Sequence, residues 1–436
     1  MPDKSETMRG QQKKSGLRFN TLDKWLDWQE SLHFTAIELG LERCRRVANN
    51  MGMLKPTYTV ISVAGTNGKG SSVTMLDLIL RDAGYRVGRY LSPHLLKYNE
   101  RISVEGINAS DEELCESFDR IDRARGDISL TYFEFGTLAA LDLFRQHQVE
   151  VALLEVGLGG RLDAVNILDA DAALISSIDL DHQQWLGDNR ESIGREKAGI
   201  LRNKSPAVCS DPNPPQSIID CAMALGTPLQ LAGDDFSYVT HGDTWDWQCE
   251  NTSYSNLPRP MQYSDFQLQN AAGVLMLLDA IKQEYPVQRE NICAGLGNFR
   301  LDGRMQMLPG RVQVILDVAH NQQAVKSLIT NLRSIPCIGK THLLVGMLKD
   351  KDHAPVLTEL NEVADSWNIV SLSEDRGCQA EELVESLKRL KIYNNVNTYP
   401  DVKTCLTMLN EKTESGDRIV ITGSFLTVGA ALKCLT

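Results

Sequence analysis

The chain has 436 residues, more than one ordinary hydrophobic core accommodates, so two or three domains are expected. Hydrophobic residues make up 42% and charged residues 23%, the balance of a soluble globular protein, and no apolar run is long enough to span a membrane. Lys and Arg total 45 against 57 Asp and Glu; the net charge of −12 argues against a surface that coats nucleic acid.

Residues 1–19 read as a disordered tail, polar and lysine-bearing over 1–16, with no apolar core for a signal peptide. Asn20 is placed to cap a helix from about Thr21, with Asp23 at its third position and Leu22, Trp25, Leu26 and Leu32 as its apolar face. A second helix is expected over about 38–52, from Glu38-Leu39-Gly40-Leu41 through Val47. The mostly β-branched run Val60-Ile61-Ser62-Val63 then enters Gly65-Thr66-Asn67-Gly68-Lys69-Gly70-Ser71, followed by Val73, Leu76, Leu80 and Ala83 at helical spacing. Strand, glycine loop and helix in that order are the context of a phosphate-binding loop. The glycines let backbone N–H groups close on phosphate oxygens, and the helix N-terminus adds its partial positive charge. Lys69 would neutralise the outer phosphates and the Ser71 hydroxyl could meet a magnesium ion. The stretch departs twice from the common G-x-x-x-x-G-K-[ST] pattern, with Val63 in place of the first glycine and Gly70 in place of Ser/Thr.

A strand is expected over 86–91, ending at Ser92-Pro93-His94 on the edge where open α/β sheets bind ligands. Residues 110–125 and 131–147 read as helices, the second opened by a capping box at Thr131-Tyr132-Phe133-Glu134. The buried-strand run 149–154 stops at Glu155, and an apolar strand ending in a carboxylate is a usual way to hold nucleotide-bound magnesium. The next apolar run, 172–178, leads into Asp179-Leu180-Asp181-His182. Single carboxylates in such places are often helix caps; two successive strands ending in metal-capable residues favour a chemical site. A short helix is expected over 195–200, loops and minor strands over 205–262, and a long helix over 265–282 bearing Gln269 and Asn270 near its start.

Leu301-Asp302-Gly303-Arg304-Met305 reads as an interdomain hinge. Beyond it the α/β alternation restarts, with strands at 312–316, 342–346, 368–372 and 418–422 and helices at 321–333, 354–364, 379–390 and 425–434. The first of these strands ends in Asp317-Val318-Ala319-His320-Asn321 and the last in Thr422-Gly423-Ser424. Ten cysteines lie singly along the chain without a C-x-x-C pair, which reads as reduced thiols in a cytoplasmic protein.

Taken together, the glycine loop, Ser92-Pro93-His94, Glu155-Val156-Gly157-Leu158-Gly159-Gly160-Arg161-Leu162-Asp163, Asp181-His182, Arg195-Glu196-Lys197-Ala198-Gly199-Ile200 and Asp317-Val318-Ala319-His320-Asn321 resemble the folylpolyglutamate synthase/dihydrofolate synthase branch of the Mur-ligase superfamily. The resemblance runs from about residue 20 to the end of the chain, and the unusual phosphate loop is the form this family uses, with Ser71 where Thr is common. It implies an α/β fold: a P-loop NTPase-like central-sheet domain over 20–302, holding ATP and pterin, and a smaller open α/β ligase domain over 303–436. Gly65, Thr66, Asn67, Gly68, Lys69, Gly70 and Ser71 would cradle ATP, joined by Asn270 and, on hinge closure, by Arg304 and Asp317. Ser92, Glu155 and His182 would hold Mg2+, as two ions, with Lys197 carbamylated beside them; that modification needs the neutral amine and so a depressed lysine pKa. Lys69, Lys197 and His320 are the implied catalytic groups. Glu38-Leu39-Gly40-Leu41, Thr131-Tyr132-Phe133-Glu134 and Leu162-Asp163-Ala164 would bind the pterin.

The implied reaction activates a carboxylate with ATP, giving an acyl phosphate that the α-amine of L-glutamate attacks. Substrates would be dihydropteroate, folate glutamates and L-glutamate, taken by a cytoplasmic monomer with neither nucleic-acid nor membrane partners. The alternatives are a cell-wall Mur ligase, disfavoured because the phosphate loop begins only about 65 residues in, and a P-loop switch ATPase, which would leave Lys197 and the second domain without a role.

Overall fold

The computed structural model describes residues 17–35, 37–260, 265–393 and 395–435; residues 1–16 of the expected tail lie outside the described residues. Residues 17–19 are packed rather than tail-like, because Phe19 meets the Trp25 ring edge-on at 5.3 Å and Arg18 pairs with Asp122 at 2.7 Å. Among the described residues the strands form three sheets.

The first sheet contains β1 (Thr59–Ala64), β2 (Val87–Tyr90), β3 (Ile102–Val104), β4 (Ile107–Asn108), β5 (Val151–Glu155), β6 (Ala172–Ile175), β7 (Ala207–Cys209) and β8 (Leu229–Leu231), in the order β4-β3-β2-β5-β1-β6-β7-β8. From β2 to β8 along that order the neighbours are parallel, while β3 runs antiparallel to β2 and β4. β1 is central because both its faces are apolar: Val60 and Ala64 enter one buried cluster, Ile61 and Val63 the other. The first cluster is covered by α1 (Leu22–Leu32), α2 (Glu42–Asn50), α4 (Asp111–Arg125) and α5 (Tyr132–Gln146), with α7 (Arg190–Lys197) and α8 (Gln216–Leu225) at its edge. The second is covered by α3 (Lys69–Asp82), α9 (Asp265–Ala280) and α10 (Arg289–Gly297). α6 (Gln183–Leu186) is a single turn after β6. β5 and β6 flank β1 through crossovers, so the C-terminal ends of all three strands open onto one crevice.

Several expectations are corrected here. Thr21, not Asn20, occupies the N-cap of α1, and its side chain makes no capping bond. The second helix starts at Glu42. Residues 38–41 are held outside it by Glu38, which bonds His33 at 2.7 Å and pairs with Arg43, and by the Gly40 N–H, which donates to Leu162 O at 3.2 Å. Of the expected loop region 205–262, residues 261 and 262 lie outside the described residues, and 205–260 are more than edge loops, since β7 and β8 extend the main sheet and α8 covers it. The same stretch supplies β9 (Phe236–His241), β10 (Thr244–Cys249) and β11 (Ser253–Pro258), an antiparallel sheet seated on α9 through the buried Trp245 and Trp247. Trp247 Nε1 donates to Ala272 O at 3.1 Å, satisfying its polar end inside the core.

The third sheet has the order β12-β13-β17-β14-β15-β16, from β12 (Gln306–Leu308), β13 (Gln313–Leu316), β14 (Thr341–Val345), β15 (Ser366–Val370), β16 (Val396–Tyr399) and β17 (Arg418–Thr422). Only β12 pairs antiparallel. One face is covered by α11 (Gln322–Ser334), α12 (His353–Leu360) and α13 (Ala380–Arg389), the other by α14 (Val402–Lys412) and α15 (Phe425–Leu435). β12, β16 and α14 are additions to the expected alternation. Leu95 and Leu96, from the loop after β2, pack into the α14–α15 cluster and tie the two large sheets together.

Candidate active site

The loop between β1 and α3 is shaped by what surrounds it. Gly68 takes φ +88°, and a methyl group there would overlap the Asn270 amide; one at Gly65 (φ +150°) would overlap the Ser176 hydroxyl. Any larger residue would push the loop off its bed. Ser176 Oγ donates to Asn67 O at 2.6 Å, and the Thr66 N–H donates to Ser177 O at 2.6 Å, so the end of β6 forms that bed. Lys69 curls over the loop and donates to Gly65 O and Thr66 O, both at 3.1 Å. Burial lowers its pKa, against the pull of Glu155 and Asp181. α9 supplies two further groups. Gln267 Nε2 donates to Ser71 Oγ at 3.1 Å, and Asn270 Nδ2 donates to Gln267 Oε1 at 3.1 Å. Asn270 Oδ1 is buried beside Gly68 without a hydrogen-bond partner, as expected of an acceptor set aside for a ligand. The sequence reading missed Gln267, although it lies three residues before Asn270 on the same helical face.

The expected metal residues divide into two groups. Glu155, at the end of β5, accepts the Ser92 N–H at 2.9 Å, so these two are joined. Burial raises the Glu155 pKa, with Lys69 the largest opposing charge. A buried carboxylate whose nearest compensation is the phosphate-loop lysine suits a bound cation. His182 heads α6, in the left-handed region with φ +50°. Burial holds its pKa down at about 4, so the ring is neutral and able to ligate. Among the described residues no group of three or more His, Cys, Asp or Glu side chains forms a metal cage. A serine, one carboxylate and one imidazole do suit magnesium, which keeps waters and shares its shell with phosphates.

Lys197 ends α7 and is 4% exposed, with its amine donating to Gly65 O at 2.7 Å. Burial, then the neighbouring Lys69, holds its pKa well below the ordinary lysine value. This lysine on a short helix points into the phosphate loop, not into solvent.

The three expected pterin segments converge. The Gly40–Leu162 hydrogen bond joins two of them, and Arg43 bridges Glu38 and Glu134, reaching Glu134 Oε1 at 3.2 Å. The capping box forms as read: Thr131 N–H donates to Glu134 Oε2 at 2.8 Å and Glu134 N–H to Thr131 Oγ1 at 3.2 Å. Phe133 lies against Gly157 and, at 5.9 Å, against Tyr90, while Tyr132 stacks under Arg101. Leu39 and Leu41 are half-buried, and Ala164 is buried in the following 3-10 turn. Asp163 caps that turn, accepting from Val165 N–H at 3.0 Å and Leu158 N–H at 2.7 Å. Burial pushes its pKa up to about 6, against those N–H groups.

Just ahead of the third sheet, Arg304 lies half-buried over the Phe425 ring at 5.0 Å. Burial lowers its pKa, opposed by Asp317 and by Glu155 across the crevice. Asp317 accepts the Met305 and Ala319 N–H groups, both at 2.9 Å, and burial raises its pKa. His320 Nδ1 bonds Val318 O at 2.8 Å, which aims Nε2 at Asp181, 3.5 Å away. Asn67 exchanges amide hydrogen bonds with Asn321 and donates to Gln323 Oε1 at 2.6 Å, so the second domain touches the phosphate loop itself. Asn321, Gln323 and Lys351 were not singled out as site residues from the sequence.

Known proteins agree with this architecture. The family described as "Mur ligase, glutamate ligase domain" matches residues 303–425. The chain is 44% identical over 414 residues, 95% of each chain, to the dihydrofolate synthase/folylpolyglutamate synthase of Escherichia coli K12. It is 39% identical to the Haemophilus influenzae protein of the same name, covering 93% of this chain and 96% of that one. Its fold matches "E.coli FolC in complex with DHPP and ADP" with a TM-score of 0.90 and 42% identity over 95% and 98% of the two chains. It also matches a bifunctional folylpolyglutamate synthase/dihydrofolate synthase "with Mn, AMPPNP and L-Glutamate bound", with a TM-score of 0.89 and 43% identity over 97% and 100%. Both the cell-wall ligase and the switch ATPase are thereby disfavoured. The chain belongs to the dihydrofolate synthase/folylpolyglutamate synthase family of Mur-type ligases, ATP-dependent enzymes that join glutamate to a folate-type acid.

Proposed function

We propose that the crevice at the ends of β1, β5 and β6 binds ATP through Gly65 to Ser71, Asn270, Arg304 and Asp317, and adds L-glutamate both to dihydropteroate and to folate glutamates. The observation that carries this reading is the convergence of the Lys69 loop, the Ser92–Glu155 pair and the Arg304–Asp317 pair on one buried crevice between the two sheets. Ser92, Glu155 and His182 would hold divalent cations, whose chemistry is to neutralise phosphate charge during transfer. Lys69 leaves its loop carbonyls to follow the γ-phosphoryl group onto the substrate carboxylate, giving an acyl phosphate and ADP. The glutamate amine then attacks and expels phosphate. His320 Nε2 lies on the second-domain side, 3.5 Å from Asp181 of the first domain, and is placed to accept a proton from that amine.

Lys197 is proposed to carry a carbamate. Its depressed pKa supplies the neutral amine the modification requires, and the resulting anion would face Lys69. The pterin would lie among residues 38–41, 131–134 and 162–164. A carboxylate has about four acceptor sites, so Asp163 can cap its turn and still accept from a pterin edge. We place the domain boundary at 302/303 with Gly303 as hinge, and the enzyme as a cytoplasmic monomer. Product formation from ATP, L-glutamate and dihydropteroate or a reduced folate tests the reading. ATP hydrolysis that needs neither acid nor glutamate would refute it.

A further inference from the structure

Lys351, in the loop after β14, has no part in the ligase reading above. Its side chain is only 7% exposed, and its ammonium crosses to the first domain, donating to Asp181 Oδ1 at 2.6 Å. The same nitrogen lies 3.4 Å from His182 Nε2. Asp181 Oδ2 also accepts from Asn321 Nδ2 at 3.2 Å and lies 3.5 Å from His320 Nε2, so the carboxylate is already enclosed by second-domain groups. A neutral imidazole has one nitrogen with a free in-plane lone pair. An ammonium proton and a metal ion cannot share that lone pair, and a divalent ion placed there would also be repelled by the adjacent ammonium.

We propose that Lys351 is a resident competitor for the cation position at His182 Nε2, so that metal loading there must displace it. Lys351 then sets metal affinity without touching the reacting atoms, as a positioning residue. This inference rests on the proposed role of His182 as a metal ligand.

Mn2+ binding by the full chain with AMPPNP, followed by the EPR signal of free Mn2+, separates the two. Lys351→Met should tighten the weakest-bound Mn2+ about tenfold, because the competing state is removed. Lys351→Arg, which keeps the cation, should bind as wild type does. If the Met variant does not fold, Lys351→Gln can still donate to Asp181 without the charge and should show the same tightening. Weakened binding in His182→Ala with wild-type binding in both neutral Lys351 variants would overturn the competition and leave the ligand assignment standing. Unchanged binding in His182→Ala would remove the ligand assignment, and the inference with it.

Discussion

Gly429 lies inside α15, where alanine is ordinarily favoured over glycine by about 1 kcal/mol. Here a methyl group would overlap Leu95 O, in the first-domain loop that begins at Ser92. Overpacking of this kind costs about 1–3 kcal/mol, and the cost falls on the contact between domains, not on the helix. Gly429→Ala is therefore expected to act with two signs. Any arrangement with the domains apart gains helix propensity, while the closed arrangement loses about five- to 150-fold in relative population. The melting temperature should hold or rise by a few degrees while kcat falls by a factor in that range. Small-angle scattering with AMPPNP and Mn2+ should show a larger radius of gyration than wild type. Wild-type kcat and scattering would refute the argument. A lowered melting temperature with normal kcat would place the strain inside α15 instead.

Lys69→Ala should lose about 10³-fold or more in ligation, as when a phosphate clamp is removed; near-normal turnover in a product assay would sink the nucleotide assignment. Lys197→Met bears on stability as well as activity. The folded-state pKa of Lys197 lies below its unfolded value, so between those values the unfolded chain binds the extra proton and wild-type stability rises with pH. In carbon-dioxide-free buffer, wild type should gain on Lys197→Met in denaturant titrations from pH 7 toward about 10, the ordinary lysine range; a constant difference would contradict the buried neutral amine. Asp163→Asn places an amide NH2 against a backbone N–H that now donates, costing about 1 kcal/mol. If Asp163 also holds the pterin, the dihydropteroate reaction should fall much further than glutamate addition to tetrahydrofolate, whereas equal losses would leave it a cap only.

The parts legible in the sequence were those where local chemistry and tertiary role coincide. The β-branched run into Gly65 could only be a buried strand entering a tight loop, and the Thr131–Glu134 box forms with its own neighbours. α14 is equally readable, since Asp401 caps it through the Thr404 N–H at 2.7 Å and Cys405, Leu406 and Leu409 repeat at helical spacing, although the expected alternation omits it. The start of α2 was not readable in this way. The Glu38–Arg43 ion pair and the Gly40–Leu162 hydrogen bond decide it, and the latter joins residues over a hundred positions apart. Lys351 was hidden for the same reason, because a lysine in Lys349-Asp350-Lys351-Asp352 looks solvated until Asp181 is brought to it.

The phosphate loop is bedded on three sides: on Ser176 and Ser177 just after β6, on Asn270 from α9, and on Asn321 and Gln323 from the second domain. The first two supports are fixed within one core, but the third is present only when the domains are together. Lys69 is pinned to its own loop carbonyls in this arrangement, so in the proposed reaction a nucleotide would draw it away. Asn67, between those carbonyls and the second domain, is then the residue through which domain position and loop conformation are read together. In the proposed reaction an acyl phosphate exposed to water would hydrolyse, so a loop contacted by the domain that carries Arg304 and His320 would tie activation of the acid to shelter for the product of that step.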